Sequence, residues 1–169
     1  MAANGSKDQL FAEVSSTCTG LITRIALSYE ADPSLRNELI QDILLAIWLA
    51  LRNFRGEASL KTFTASIAQK RCISHVTRRA REPRQVELPQ NLVSGAPPPD
   101  EIALRNDQRQ KLVGMIHRLP IPQREAIVLA FEGFTYAEMA DILGISANAV
   151  MLRCQRAKAT LKSLMEQRS

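Results

Sequence analysis

The chain has 169 residues, of which 46% are apolar, with 22 basic and 17 acidic residues for a formal net charge of +5. That length holds one domain or two small ones with a real core. Three scattered cysteines, Cys18, Cys72 and Cys154, exclude a disulfide framework, and the longest apolar run, Ile43 to Leu51, is far short of the roughly 20 residues a membrane span needs. With no secretory signal at the N-terminus, the expectation is a soluble protein in the reducing cytoplasm.

Glycine is scarce and strand-like alternation is hard to find, so the predicted fold class is all-α. The first helical stretch runs from Leu10 to Tyr29. Asp32-Pro33-Ser34 starts a second, with proline suited to a first turn, and it continues to about Asn53. On this second helix Ile40, Ile43, Leu44, Ile47 and Leu51 share one side and supply core. Opposite them lie Glu38, Gln41, Asp42, Leu45 and Leu49. Two leucines inside an acidic, polar face fit a protein partner, or another helix of the same module.

Asn53-Phe54-Arg55-Gly56 breaks the pattern, and Ser59 caps a third helix reaching Arg79. Leu60, Phe63 and Ile67 form one stripe, while Ile73 and Val76 fall on another side. Lys70, Arg71, His75, Arg78, Arg79 and Arg81 load its C-terminal half with basic side chains. Such a set complements the helix dipole and also makes a phosphate-tracking surface. Phe63 near its start is read as core from periodicity; exposed, it would stack a base.

Residues 82–99 contain Pro83, Pro89, Gly95 and Pro97-Pro98-Pro99 and read as a linker. The expected organisation is a helix bundle over 1–81, a linker over 82–104 and a second helical module over 105–169. That second module opens with helices over Asp100–Arg118 and Pro122–Glu132. Thr135 and Glu138 then form a capping box, flanked by Phe134 and Met139 as a hydrophobic staple. Gly144 suits the left-handed residue that ends a helix, and Ser146 suits the cap of the next. A short helix, a tight turn and a basic helix is the pattern of a helix-turn-helix, whose second helix enters the DNA major groove. The same pair also occurs in bundles that never touch DNA. On the last helix Val150, Cys154, Ala157, Leu161 and Leu164 make one packed face. Asn148, Met151, Leu152, Gln155 and Arg156 lie opposite, and apolar Met151 and Leu152 there fit thymine methyls or a partner.

Charge follows the same division. Residues 52–84 hold nine basic and two acidic groups, and residues 146–169 hold five and one. Residues 1–51 are acidic, with three basic and six acidic groups. Two separated basic blocks predict two contacts with a polyanion, although solvated helix faces also carry such charge.

This arrangement resembles the extracytoplasmic-function sigma factors, the small two-domain promoter-recognition subunits of bacterial RNA polymerase. The resemblance covers about residues 7–81 and 105–166. Glu38-Leu39-Ile40-Gln41-Asp42 through Ile47-Trp48 looks like the polymerase-binding helix. Phe54-Arg55-Gly56-Glu57-Ala58-Ser59-Leu60-Lys61-Thr62-Phe63, with Ile67-Ala68, looks like the promoter-melting segment. Leu119-Pro120 through Ala126, Gly133 through Ala140 and Arg153 through Lys158 look like the fourth region. The resemblance implies that Glu38, Gln41 and Asp42, on the face with Leu45 and Leu49, meet the clamp of the polymerase largest subunit. It implies that Thr62, Phe63, Lys70, Arg71, His75, Arg78 and Arg79 approach the −10 element, where an unpaired base is captured. Ser146, Asn148, Met151, Leu152, Arg153, Arg156 and Lys158 would lie in or beside the −35 major groove. The implied partners are core RNA polymerase, promoter DNA and an anti-sigma factor. The chain departs from the usual pattern at Leu35-Arg36-Asn37, Lys70, Ser74, Met151 and Leu152.

Two other readings share these residues. One is a stand-alone helix-turn-helix regulator; the other is a polymerase-binding adaptor without promoter choice. An enzyme is not expected: His75 and His117 are the only histidines, and no phosphate loop, nucleophile motif or paired carboxylates stand out. Cys72 and His75 have C-x-x-H spacing with no second pair to complete a zinc site, so neither metal nor cofactor is expected.

Overall fold

A computed structural model describes residues 2–83 and 100–168. Among these the secondary structure is helical, with no strand. In chain order it comprises α1 (Ala2–Thr17), α2 (Thr19–Leu27), α3 (Pro33–Ala50), a 3-10 turn (Leu51–Asn53), α4 (Leu60–Arg81), α5 (Asp100–His117), α6 (Ile121–Phe131), α7 (Tyr136–Leu143) and α8 (Ala147–Glu166). The proline-rich residues 84–99 lie outside the described residues, and α5 begins inside the span expected as linker.

The single helix expected over 10–29 is broken at Cys18, a bend between α1 and α2 whose backbone (φ −113°, ψ 0°) departs from ideal helical angles. Hydroxyls on either side explain the break. Thr17 Oγ1 bonds back to the Glu13 carbonyl at 2.7 Å, and Thr19 Oγ1 to the Ser15 carbonyl, competing with the backbone ladder. The resulting corner turns α1 so that Phe11 meets Trp48 of α3 edge-on at 5.2 Å, with Lys7 Nζ 4.0 Å above the same ring.

Caps fix the remaining starts. The Asp32 side chain accepts from the Leu35 N–H at 2.9 Å, with Pro33 in the first turn of α3. Ser59 Oγ accepts from the Thr62 N–H at 3.1 Å. In the N-terminal bundle Ile22, Ile25, Ile43 and Ile47 are fully buried against α4, where Ala65 and Ala68 let the helices approach closely. The buried face of α3 is rotated from the expected one. Leu39 and Ala46 join Ile43 and Ile47 inside, while Ile40 and Leu44 are half-buried at the edge. In the C-terminal bundle α6 and α7 pack on the predicted Val150–Leu164 stripe of α8, all five of whose residues are buried.

The two bundles pack against each other. Arg24 of α2 makes a two-pronged ion pair with Glu132, just past α6, at 2.7 and 2.9 Å. Gln69 of α4, 2% exposed, donates to the Glu125 carbonyl of α6 at 3.2 Å and accepts from Tyr29 Oη at 2.5 Å. The Arg124 Cζ lies over the Tyr29 ring, 5.4 Å from its centre, and the buried Nε has no hydrogen-bond partner. His117 Nε2 lies 2.8 Å from the Leu27 carbonyl. No helix is long and apolar enough to cross a membrane among the described residues.

Candidate nucleic-acid interface

Three surfaces carry the chemistry expected from the sequence. On α3 the residues Glu38, Gln41, Asp42, Leu45 and Leu49 recur at three- and four-residue steps and stand on one outward face. All five are exposed, and the leucines keep 57% of their surface in solvent. Leucines that open rarely serve a monomer, so the stripe has the character of a contact surface. Asp42 lies 3.8 Å from Arg71 of α4, which ties this face to the next.

The second surface is α4. Lys70, Arg71 and Arg78 project into solvent. Phe63 is half-buried and leans on Phe54, ring centres 4.8 Å apart at 59°, so it is part core and part surface. Thr62 is half-buried at the helix start, its hydroxyl accepting from Ser59 Oγ at 3.1 Å. Two residues grouped with the basic face behave differently. His75 is buried, its Nε2 2.7 Å from Glu30 Oε2, so it faces inward rather than toward a phosphate. Arg79 Nη1 reaches the same oxygen at 2.8 Å. The cause is Glu30, which the α2–α3 connection places in the bundle interior opposite α4. Burial pushes the Glu30 carboxyl up, but the bonds from His75, the Asp32 N–H and Arg79 outweigh it and hold the group below the usual carboxylate range.

The third surface is α8. Thr135 and Glu138 close the capping box at 3.1 and 3.2 Å, and Phe134 and Met139 are both buried. Gly144 turns the corner at φ +67°, and Ser146 Oγ accepts from the Ala149 N–H at 3.1 Å. These joints hold the first turns of α8 at the surface. Asn148, Arg156 and Lys158 are exposed, and Leu152 is 41% exposed. Met151 is half-buried, less open than its phase predicts. Arg153 is also half-buried, 3.4 Å from Glu125 Oε2. Burial pushes the Glu125 carboxyl up, and Arg153 opposes that rise.

Single-sequence reading missed Tyr29, Glu30, Gln69 and Arg124. They are polar, buried and brought together from distant parts of the chain. Periodicity marks a polar residue as surface, so it carried no signal for them.

The family models for Sigma-70 region 2 and Sigma-70 region 4 match residues 16–82 and 109–161. The chain is 32% identical over 143 residues to the ECF RNA polymerase sigma factor SigK of Mycolicibacterium vanbaalenii, a match covering 79% of this chain and 68% of that one. The chain belongs to the extracytoplasmic-function sigma factors. The probable RNA polymerase sigma factor RfaY of Xanthomonas campestris pv. campestris is 28% identical over 169 residues; the match spans 95% of this chain and only 41% of that protein. Among solved structures, the sigma factor RpoE in complex with the anti-sigma factor NepR, from Bartonella quintana, shares the fold with a TM-score of 0.70 at 21% identity. That match covers 92% of this chain and 95% of that one. The all-α, two-bundle architecture is thus the family's own, and the three surfaces lie on the helices of its second and fourth regions.

Proposed function

We propose that the protein binds core RNA polymerase, directs it to promoters through −10 and −35 contacts and helps separate the strands, with no catalytic chemistry of its own. The observation that carries this is the coexistence of an exposed acidic-leucine stripe on α3 with two outward basic surfaces on α4 and α8. The stripe, Glu38 to Leu49, takes the polymerase clamp. Lys70, Arg71 and Arg78 follow the phosphates of the −10 region, with Thr62 and Phe63 at the end where a base leaves the stack. Unstacking costs a few kcal/mol, offset by stacking on an aromatic ring and pocket contacts. Asn148, Leu152 and Arg156 read the −35 major groove, with Lys158 on the backbone. Each good base contact contributes about 1–3 kcal/mol of discrimination, and phosphate contacts supply most of the affinity.

Glu30 keeps Arg79 and His75 in register as positioning groups. The proposed role sets the protein beside core polymerase and the chromosome, in the cytoplasm. An anti-sigma partner is proposed because the solved neighbour RpoE is held by one. Polymerase dependence separates this role from a stand-alone regulator, and promoter choice separates it from an adaptor.

Transcription in vitro with core polymerase on a genomic fragment library is the test. The chain should yield transcripts from a restricted set of start sites, and Glu38→Ala with Asp42→Ala should reduce them at limiting polymerase. Tight sequence-specific binding without polymerase, and no polymerase-dependent RNA, would favour the stand-alone regulator.

A further inference from the structure

Arg153 stands apart from the other cations in the middle of α8. Arg156 and Lys158 are exposed, whereas Arg153 turns toward α6, its Nη1 3.4 Å from Glu125 Oε2. The two side chains are only 29% and 14% exposed. Burial alone would favour a neutral Glu125 carboxyl, and the Arg153 charge opposes that. Farther along α8, Thr160 Oγ1 lies 2.9 Å from Gln123 Oε1, so α8 meets a polar side chain of α6 a second time. Positions seven apart on a helix differ by about 20° in direction and about 10 Å along the axis. Arg153 and Thr160 therefore share one flank, two turns apart. That flank borders the packed Val150–Leu164 stripe, and Asn148, Leu152 and Arg156 lie on the far side of the helix.

Two contacts on one flank restrain rotation of α8 about its own axis. This restraint matters for selection. A base contact discriminates only while its side chain is held in one geometry. A recognition helix with several rotational settings moves the reader off a mismatched base pair and evades the penalty. A loose arginine beside the groove makes this worse. Its guanidinium accepts any phosphate oxygen as partner, and a phosphate contact carries no sequence information.

We propose that Glu125 is a positioning residue for −35 selection: through Arg153 it fixes the rotational setting of α8, directing Asn148, Leu152 and Arg156 at the groove while keeping one guanidinium off the phosphates. Arg153 is then a strut between α6 and α8 rather than a reader of bases, although its sequence neighbours Leu152 and Arg156 face the DNA. Specificity rests on a difference of affinities, and the strut preserves that difference by denying mismatched promoters an alternative fit.

The proposal rests on the sigma-factor reading, and two measurements on the full chain keep the two apart. The first is binding to a mixed-sequence DNA duplex without polymerase, followed by fluorescence anisotropy over a range of salt. Glu125→Met removes the acceptor and keeps an unbranched side chain of similar length. It should steepen the slope of log affinity against log salt by about 0.9, the equivalent of one added phosphate contact. Glu125→Met with Arg153→Met replaces the ion pair by an apolar pair of similar size, and should return the slope to the wild-type value. The second is polymerase-dependent transcription from a promoter and from versions altered at single −35 base pairs. Glu125→Met should reduce the preference for the unaltered promoter about fivefold and leave preference at −10 unchanged. Arg153→Gln, whose amide still donates to Glu125, should keep the wild-type order of preference at every −35 base pair. An unchanged salt slope in Glu125→Met would overturn the proposal. So would a Glu125→Met protein that loses output from all versions alike with its −35 preference intact, or an Arg153→Gln protein indifferent to a −35 base pair. If the slopes change as stated but wild type directs polymerase to no promoter, the sigma-factor reading falls and the selection role with it, while the restraint of Arg153 by Glu125 stands.

Discussion

One carboxylate, Glu30, sets how the basic half of α4 is presented. It collects His75 and Arg79 on a single oxygen inside the bundle, leaving Lys70, Arg71 and Arg78 outside. Its ordinary value is 4.5, and the folded protein holds it lower. The unfolded chain therefore binds the proton first as pH falls. The stabilisation is complete above about pH 4.5 and is lost as pH drops through the lowered folded value. Glu125 runs the other way: its raised folded value favours the fold as pH falls toward 4.5. Glu30→Gln should cost about 1–3 kcal/mol at pH 7 and flatten the loss of stability below pH 4.5. Urea midpoints of the two proteins between about pH 7 and pH 3 check this; parallel curves would refute it. A second outcome at this scale concerns Leu45 and Leu49. Replacing both with aspartate should leave the melting temperature unchanged within error, since both are exposed, yet weaken polymerase binding at least tenfold.

Among the elements, the turn between α7 and α8 is the most completely specified by local chemistry. Gly144 sits at φ +67° with open space where a Cβ would stand. Gly144→Ala should cost about 1–2 kcal/mol from the backbone alone, and Gly144→Asn distinctly less, read as shifts in thermal unfolding. Equal losses would mean that contacts, not conformation, set the cost. Thr135→Ala removes half the capping box and should cost about 1 kcal/mol. These joints were legible because the caps and the left-handed glycine act within a few residues. The Val150–Leu164 stripe was legible because a 3.6-residue repeat records its own burial. The Cys18 corner was not legible, since hydroxyl back-bonding from Thr17 and Thr19 leaves periodicity intact. The rotation of α3 escaped for another reason. Which of several apolar flanks turns inward depends on where α2 and α4 lie, and that is decided by distant residues. His75 was read with the basic face because its phase matches its neighbours, and only the partner Glu30, 45 residues away, draws it inside.

For the molecule as a whole, the linker composition announced two modules but nothing local announced their seam. Gln69 with Glu125, Arg24 with Glu132 and His117 with Leu27 join residues 56 to 108 positions apart. In the proposed role one chain grips one promoter at two places, with polymerase carrying both grips. A loss-of-contact experiment tests it most directly: transcription by polymerase with wild type, Arg156→Ala or Arg78→Ala, on a promoter and on versions altered base by base in each element. Arg156→Ala should become indifferent to at least one −35 base pair, by about 1–3 kcal/mol of lost discrimination, while keeping full sensitivity at −10. Arg78→Ala should weaken output on all versions alike and flatten its salt dependence. Uniform sensitivity to every base pair in all three proteins would contradict the claim.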